Sequence, residues 1–128
     1  MNNKKHTLED LFSDNGAFDE EGVVKAIQPL ITIQKATNEI FLKDSSLGAD
    51  RSILAFGLAK KLLKIRGLIN SEIITAAELH KKTGIKKGTI DPAFQRLRKA
   101  GYIVGKGEYE IPVFRISDIV GFLTNTKR

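Results

Sequence analysis

Two spacings of apolar residues alternate along this chain. In some stretches apolar residues recur every three or four positions, and in shorter stretches they alternate with polar ones. The first spacing places apolar side chains on one face of an α-helix, and the second places them on one face of a β-strand. Helical spacing is strongest over residues 50–66 and 87–100, and alternation is clearest over residues 30–43. The pattern therefore predicts an α+β protein.

An acidic leader is expected before the first regular element. Residues 1–22 include the breaker-rich sequence SDNGAFDEEG, and residues 7–12 have apolar residues enough for one or two helical turns. Glycine, asparagine and aspartate favour turns, so we expect this leader to be partly flexible. Residues 124–128 form a polar tail.

Residues 23–48 are predicted to add a short helix and a β-hairpin to the same core as the rest of the chain. Asp19 is a suitable N-cap for the helix, which should end near Pro29. The residues expected to face inward are Val23, Val24 and Ile27.

The hairpin prediction depends on a run of β-branched and aromatic residues. Strands are expected near residues 30–34 and 39–43, with a turn at residues 35–38 between them. One continuous helix over residues 23–42 is the alternative. Pro29 and the β-branched content disfavour it, because both reduce helix stability.

Helix 50–66 has the strongest helical pattern, and Gly67 is expected to end it. Apolar residues fill most of its circumference, so it should be a central core element or pack against a second copy. The remaining polar stripe contains Lys60, Lys61 and Lys64. We expect this stripe to be solvated rather than to form a second nucleic-acid surface.

Start and stop signals define the next helix. Thr75 and Glu78 have the S/T-x-x-E spacing of a capping box, in which each side chain satisfies a free backbone N–H. Ile74 and Leu79 are spaced to form a hydrophobic staple. This helix should end at Gly84, because glycine adopts the left-handed conformation at little cost.

Helix 87–100 is amphipathic and strongly basic. Its effective cap is expected near Gly88 or Thr89, which places Pro92 in the first turn, where a missing N–H has no intrahelical partner. The residues spaced to form its buried face are Ile90, Ala93, Phe94 and Leu97.

Two strands and a last helix complete the pattern. Strands are expected at residues 102–104 and 109–116, joined by a short glycine-rich loop. Pro112 would restrict the second strand to a sheet edge, because it has no N–H for the ladder. Ser117 is expected to cap a helix over residues 118–123.

The order of helix, glycine turn, helix and hairpin over residues 74–116 resembles the winged helix-turn-helix family of DNA-binding domains. The residues that carry the resemblance are ITAAELHKKTGIKKGTIDPAFQRLRKAGYI followed by VGKGEYEIPVFRIS, and helix 50–66 would precede them as the first helix. The resemblance implies a winged helix domain over residues 49–123. It also implies that the helix beginning near Lys87 lies in the major groove, while the hairpin tip at Lys106 approaches the backbone or the minor groove.

The outward residue types of helix 87–100 suit such a role. Gln95 and Arg96 are able to make bidentate contacts with adenine and guanine edges, and the lysines suit phosphates. A lysine on a helix is, however, usually solvated surface, and Lys99 also complements the helix dipole. The candidate nucleic-acid-binding residues are Lys86, Lys87, Thr89, Gln95, Arg96, Lys99 and Lys106.

Four other residues in this region have plainer interpretations. Asp91 is acidic on a basic surface, and a cap or an internal ion pair suits it better than a contact with cytosine. His80 is expected to be exposed and idle rather than a phosphate ligand. Tyr102 and Phe114 occupy predicted strand positions and are expected in the core.

Charge is distributed unevenly along the chain, whose formal net charge is +6. Residues 1–48 have five lysines against eight acidic residues, a net of −3, and residues 49–128 have sixteen basic residues against seven acidic ones, a net of +9. A polyanionic partner for the C-terminal part explains this asymmetry, and so does a well-solvated surface.

Composition argues against several other classes of protein. The absence of cysteine excludes disulfides, thiolate zinc sites and cysteine nucleophiles, and it favours a cytoplasmic location. The longest apolar run, residues 53–63, contains two lysines and is shorter than the roughly 20 residues of a membrane span. Neither a Walker-type loop nor a His-carboxylate or Ser-His motif is evident, so we expect neither an enzyme nor a cofactor.

The functional prediction is sequence-specific binding of double-stranded DNA by a transcriptional regulator. A homodimer is the simplest assembly, with helix 50–66 or helix 118–123 as the candidate dimer surface. The alternative is a winged helix that acts as a protein-interaction module within a larger complex, because fold does not dictate function. RNA binding ranks lower, because base-stacking aromatic residues of the usual kind are missing.

Overall fold

The computed structural model describes residues 18–43 and 45–124. The turns predicted at residues 7–12 lie outside the described residues, as do most of the predicted leader and all but the first residue of the polar tail. Within the described part there are five helices and two antiparallel two-stranded sheets. The helices are α1 (Glu20–Ile27), α2 (Ala49–Ile65), α3 (Ala76–Thr83), α4 (Lys87–Lys99) and α5 (Ile116–Thr124), and the strands are β1 (Ile31–Ile33), β2 (Ile40–Leu42), β3 (Val104–Gly105) and β4 (Tyr109–Glu110).

The predicted N-terminal helix and hairpin are confirmed. Asp19 caps α1 by accepting a hydrogen bond of 3.0 Å from the Gly22 N–H. β1 and β2 pair in antiparallel register, and the alternative of one helix over residues 23–42 is wrong. The inward position predicted for Val24 is also wrong, because its side chain is 45% exposed. The buried face of α1 consists instead of Val23, Ala26 and Ile27.

Helix α2 is the centre of the core. Its buried side chains include Leu54, Phe56 and Leu58, and it contacts α1, α4, α5 and β2. Most of the apolar arc that suggested a dimer surface on helix 50–66 is therefore covered by the chain's own elements. Most of this arc is therefore unavailable to a second copy, although Ile65 near the end of α2 is 43% exposed.

Gly57 in α2 marks a close approach between the helix and the C-terminal half. A Cβ atom built on Gly57 would lie 2.6 Å from Ile111 Cδ1 and 2.9 Å from Ile74 Cδ1, both inside van der Waals contact. These isoleucines flank the start of α3 and the end of β4. Glycine in the helix interior thus lets α2 pack closely against these two isoleucines.

All three lysines expected to form a solvated stripe lie near acidic side chains, and two of them are largely covered. Lys60 Nζ lies 2.5 Å from Glu78 Oε1 and donates to the Ile73 carbonyl oxygen at 2.7 Å. Lys61 is buried and pairs with Glu72, while Lys64 is exposed and lies 3.9 Å from the other Glu72 oxygen. The prediction was wrong for Lys60 and Lys61, because acidic residues distant in sequence fold over them.

The capping box of α3 is half formed. The Thr75 hydroxyl accepts a hydrogen bond of 3.2 Å from the Glu78 N–H, as predicted. The Glu78 carboxylate does not complete the box and pairs with Lys60 instead. One cap residue therefore also ties α3 to α2.

The predicted strand over residues 109–116 is mostly wrong. β4 spans only two residues, and Pro112 begins a 3₁₀ turn, Val113–Arg115, that leads directly into α5. Because the chain turns here, Phe114 leaves the strand register and is 79% exposed rather than in the core. Ser117 is the second residue of α5 and not its cap. None of the helices that the structure describes has the length and apolar content to cross a membrane.

Candidate nucleic-acid interface

Side chains hold the turn between α3 and α4. Gly84 ends α3 in the left-handed conformation, with φ of 78°. The Thr83 hydroxyl donates to the Leu79 carbonyl at 2.6 Å and accepts from the Ile85 N–H at 3.0 Å. His80 Nδ1 lies 2.8 Å from the Ile85 carbonyl oxygen and is the donor in this contact, since a carbonyl oxygen only accepts. The expectation that His80 is idle is wrong, because it fixes the chain between the two helices.

The inner face of α4 is buried as predicted. Its four apolar residues are almost completely covered, and α2 and α3 are its neighbours. The Phe94 ring stacks on the Tyr109 ring with a centroid distance of 4.3 Å and an interplanar angle of 17°. This contact fixes α4 relative to the hairpin β3–β4. The buried residues are Ile90, Ala93, Phe94 and Leu97.

The start of α4 differs from the prediction. The N-cap is Lys86, two residues before Gly88, and its side chain makes no capping hydrogen bond. Pro92 is therefore the sixth residue of α4 and not part of its first turn. The Gly88 carbonyl loses its usual i+4 donor, because proline has no N–H. Asp91 is exposed and is neither a cap nor, within the described residues, a partner in an ion pair.

Backbone pairing holds the hairpin beside α3. β3 and β4 are antiparallel, and Ile74 forms a bridge to Tyr109 in which each N–H donates to the other carbonyl, at 2.7 and 2.9 Å. A side chain at Gly105 would collide with the Glu108 carbonyl oxygen, and its φ of 127° also favours glycine. The hairpin tip therefore has a tight backbone, and it presents the exposed Lys106.

The predicted residues lie on the outer surface of α4, at its N-cap and at the hairpin tip. All seven candidate residues are exposed. Within the part of the chain that the structure describes, no hydrogen bond or ion pair involves the side chains of five of them, so these groups are available to a ligand. These five are Lys86, Lys87, Thr89, Lys99 and Lys106.

The other two candidates already have partners. Gln95 Nε2 donates to the Tyr109 hydroxyl at 3.2 Å. Arg96 pairs with Asp50 of α2, with Nη2 2.6 Å from Oδ1 and Nε 3.4 Å from Oδ2. The hydrogen bond to Asp50, and then its charge, raise the pKa of Arg96 above its ordinary value. Sequence reasoning missed Asp50, because 46 residues separate the pair.

Arg115 is a second residue that the sequence did not single out. Its Nε donates to the Gly101 carbonyl at 3.0 Å, and its Nη2 donates to the Ala100 carbonyl at 3.1 Å. Its Nη1 pairs with Asp118 at 2.7 Å. Arg115 thus caps the C-terminal end of α4 and joins it to α5, since a guanidinium satisfies free helix carbonyls.

The described residues contain no group of three histidine, aspartate or glutamate side chains placed to hold a metal ion. Comparisons of the chain with protein-family models, with curated proteins and with solved structures gave no match.

Proposed function

We propose that this protein binds double-stranded DNA as a transcriptional regulator of the winged helix-turn-helix type. In this proposal α4 enters the major groove, and the hairpin β3–β4 is the wing. The observation that carries it is the outer surface of α4, where exposed cations without partners stand opposite a fully buried apolar face.

The arrangement of elements supports the winged helix interpretation. α2, α3 and α4 follow one another with a short turn before α4, and the hairpin β3–β4 comes next in the chain. An isolated backbone bridge between Ile74 and Tyr109 also ties the segment before α3 to the hairpin. In this interpretation α1, the hairpin β1–β2 and α5 are additions to the domain.

The positive charge at the start of α4 suits a phosphate. Lys86 and Lys87 lie at its N-terminus, where the helix dipole and free N–H groups also favour an anion. Lys99 is exposed near the opposite end of the helix, and Lys106 lies at the hairpin tip. These lysines would supply phosphate contacts, which set affinity, while other residues of α4 read base edges.

A binding experiment with a matched control tests this proposal. The protein is titrated into labelled duplex DNA fragments over a range of salt concentrations. The Lys86→Ala/Lys87→Ala/Lys99→Ala variant should bind at least about tenfold more weakly at low salt, and its salt slope should be shallower by about 0.9 for each lost phosphate contact. The matched control is the variant Lys25→Ala/Lys35→Ala/Lys43→Ala. It loses the same charge, but from exposed lysines of α1 and the β1–β2 hairpin.

Two results would overturn the proposal. One is absence of binding to any duplex DNA, and the other is equal loss of affinity in the two triple variants. Preference for duplex RNA of the same sequence would replace DNA with RNA as the ligand. A cytoplasmic location is part of the proposal, because a chain without cysteine has no disulfide that needs an oxidising compartment.

Phe114 favours a second candidate function, a protein contact beside α5. This side chain is exposed and lies two residues before α5, and aromatic residues are enriched at interface hot spots. A homodimer through this surface would present two α4 helices to two half-sites. A different partner would make the protein an interaction module. Analytical sedimentation of the wild-type protein and of Phe114→Ser tests the homodimer. If the homodimer exists, the wild-type protein sediments as a dimer and Phe114→Ser sediments as a monomer.

A further inference from the structure

Arg96 differs from the other cations of α4 in having a carboxylate partner. Within the described residues, Asp50 is paired with Arg96, whereas no acidic side chain lies within ion-pair distance of Lys87, Arg98 or Lys99. Asp50 is the second residue of α2, so the pair joins the core helix to the outer surface of α4. Two contacts on one edge of the guanidinium restrict its orientation.

The pairing leaves part of the guanidinium free. Arginine has five N–H donors, and Asp50 uses the single donor on Nε and one of the two on Nη2. The remaining donors on Nη1 and Nη2 form a second fork. The Arg96 side chain is 59% exposed, and its only side-chain hydrogen bonds within the described residues are the two to Asp50, so this fork is available to a ligand. A fork of this kind fits the O6 and N7 acceptors of guanine.

The charge of Asp50 changes which partner Arg96 prefers. An unpaired arginine on a basic surface is attracted to any nearby phosphate, and such contacts carry no sequence information. Beside Asp50, the positive charge is partly neutralised, and a phosphate is repelled by the carboxylate. A base edge has acceptors with only partial negative charge and is repelled much less, so Asp50 favours base contact over backbone contact.

We propose that Asp50 is a specificity-determining residue that acts through Arg96, holding its guanidinium toward a guanine edge and away from phosphates. This inference rests on the proposed binding of duplex DNA by α4. Asp50 itself is a positioning residue, and Arg96 makes the contact.

The test compares a selected duplex with an unselected one. The first probe is the duplex that the wild-type protein enriches from a random library, and the second is a random-sequence duplex of the same length. In Asp50→Ala the ratio of the two affinities should fall about tenfold, the scale of one bidentate base contact. Affinity for the random duplex should hold or rise, and its salt slope should steepen by about one phosphate contact. Selection repeated with Asp50→Ala should lose a guanine preference at one base pair.

Further variants separate positioning from a merely structural effect. Arg96→Lys keeps the charge but lacks the fork, so it should also lower the ratio. Asp50→Ala should have no further effect on the ratio when Arg96→Ala is already present. The inference is overturned if Asp50→Ala leaves the ratio unchanged, or lowers it equally with and without Arg96. If Asp50→Ala fails to fold, the same ratio of the two affinities is measured for Asp50→Asn and Arg96→Lys instead. If the wild-type protein binds no duplex at all, the proposed function fails and this inference fails with it.

Discussion

Lys61 Nζ lies 2.7 Å from Glu72 Oε1, and the two side chains are only 9% and 12% exposed. The pair joins the most apolar helix of the chain, α2, to the segment before α3. Both charges are largely removed from water, and the Lys61 ammonium depends on Glu72 for its counter-charge. A lysine in the middle of an apolar helix therefore helps to hold the segment before α3 against α2.

Removal of one partner from this pair should be strongly destabilising. Glu72→Gln leaves the Lys61 ammonium buried without its counter-charge, and we expect the free energy of unfolding to fall by about 3 kcal/mol. Urea denaturation followed by circular dichroism measures the change. Lys61→Met/Glu72→Met should recover most of the loss, because apolar side chains often replace a buried ion pair without net cost. A double variant as unstable as Glu72→Gln would contradict this explanation.

Arg115 should stabilise the end of α4. Arg115→Ala removes charged donors from the Gly101 and Ala100 carbonyls and the partner of Asp118. We expect a loss of about 2 kcal/mol and faster amide exchange in the last turn of α4. Arg115→Lys keeps the charge but not the planar fork, so it should recover less than half of that loss. Unchanged exchange in both variants would show that the contacts do not hold the helix end.

Gly57 should resist enlargement. Gly57→Ala places a methyl group against Ile111 and Ile74, and overpacking of this kind costs about 1–3 kcal/mol, enough to outweigh the higher helix propensity of alanine. Ile111→Val removes the Cδ1 atom at the nearest contact. It should destabilise the wild-type protein but stabilise the Gly57→Ala variant. Thermal denaturation of the wild-type protein, the two single variants and the double variant shows whether the effect of Ile111→Val on stability changes sign. Additive effects would argue against a close contact.

Pro92 should weaken α4, since it lies in the second turn of the helix. Pro92→Ala restores an N–H for the Gly88 carbonyl, and we expect the free energy of unfolding to rise by about 2 kcal/mol, after allowance for the more flexible unfolded chain. Gly88→Ala should add up to about 1 kcal/mol, because open space surrounds the new methyl group. Urea denaturation measures both. A decrease for Pro92→Ala would mean that the helix is not continuous through this residue.

Local pattern predicted much of the fold and the candidate site. The ends of α1 and α3 follow from Asp19, Thr75 and Gly84, whose side chains or backbone freedom act within a few residues. The buried face of α4 follows from apolar spacing, and burial of one face also determined which residues are exposed on the other. The function proposed for that surface stays a prediction that the binding experiments test.

Contacts between distant segments decided the remainder. The partners of Lys60, Lys61 and Arg96 lie outside their own helices, so no local spacing identifies them. The exposed position of Phe114 depends on the turn at Pro112, where β-branched residues on both sides suggested a strand. Periodicity reports how one segment divides its side chains between core and solvent, because that division repeats with the backbone. Which charged groups meet across α2, α3 and α4 depends on how the finished helices pack, and that arrangement forms only in the folded chain.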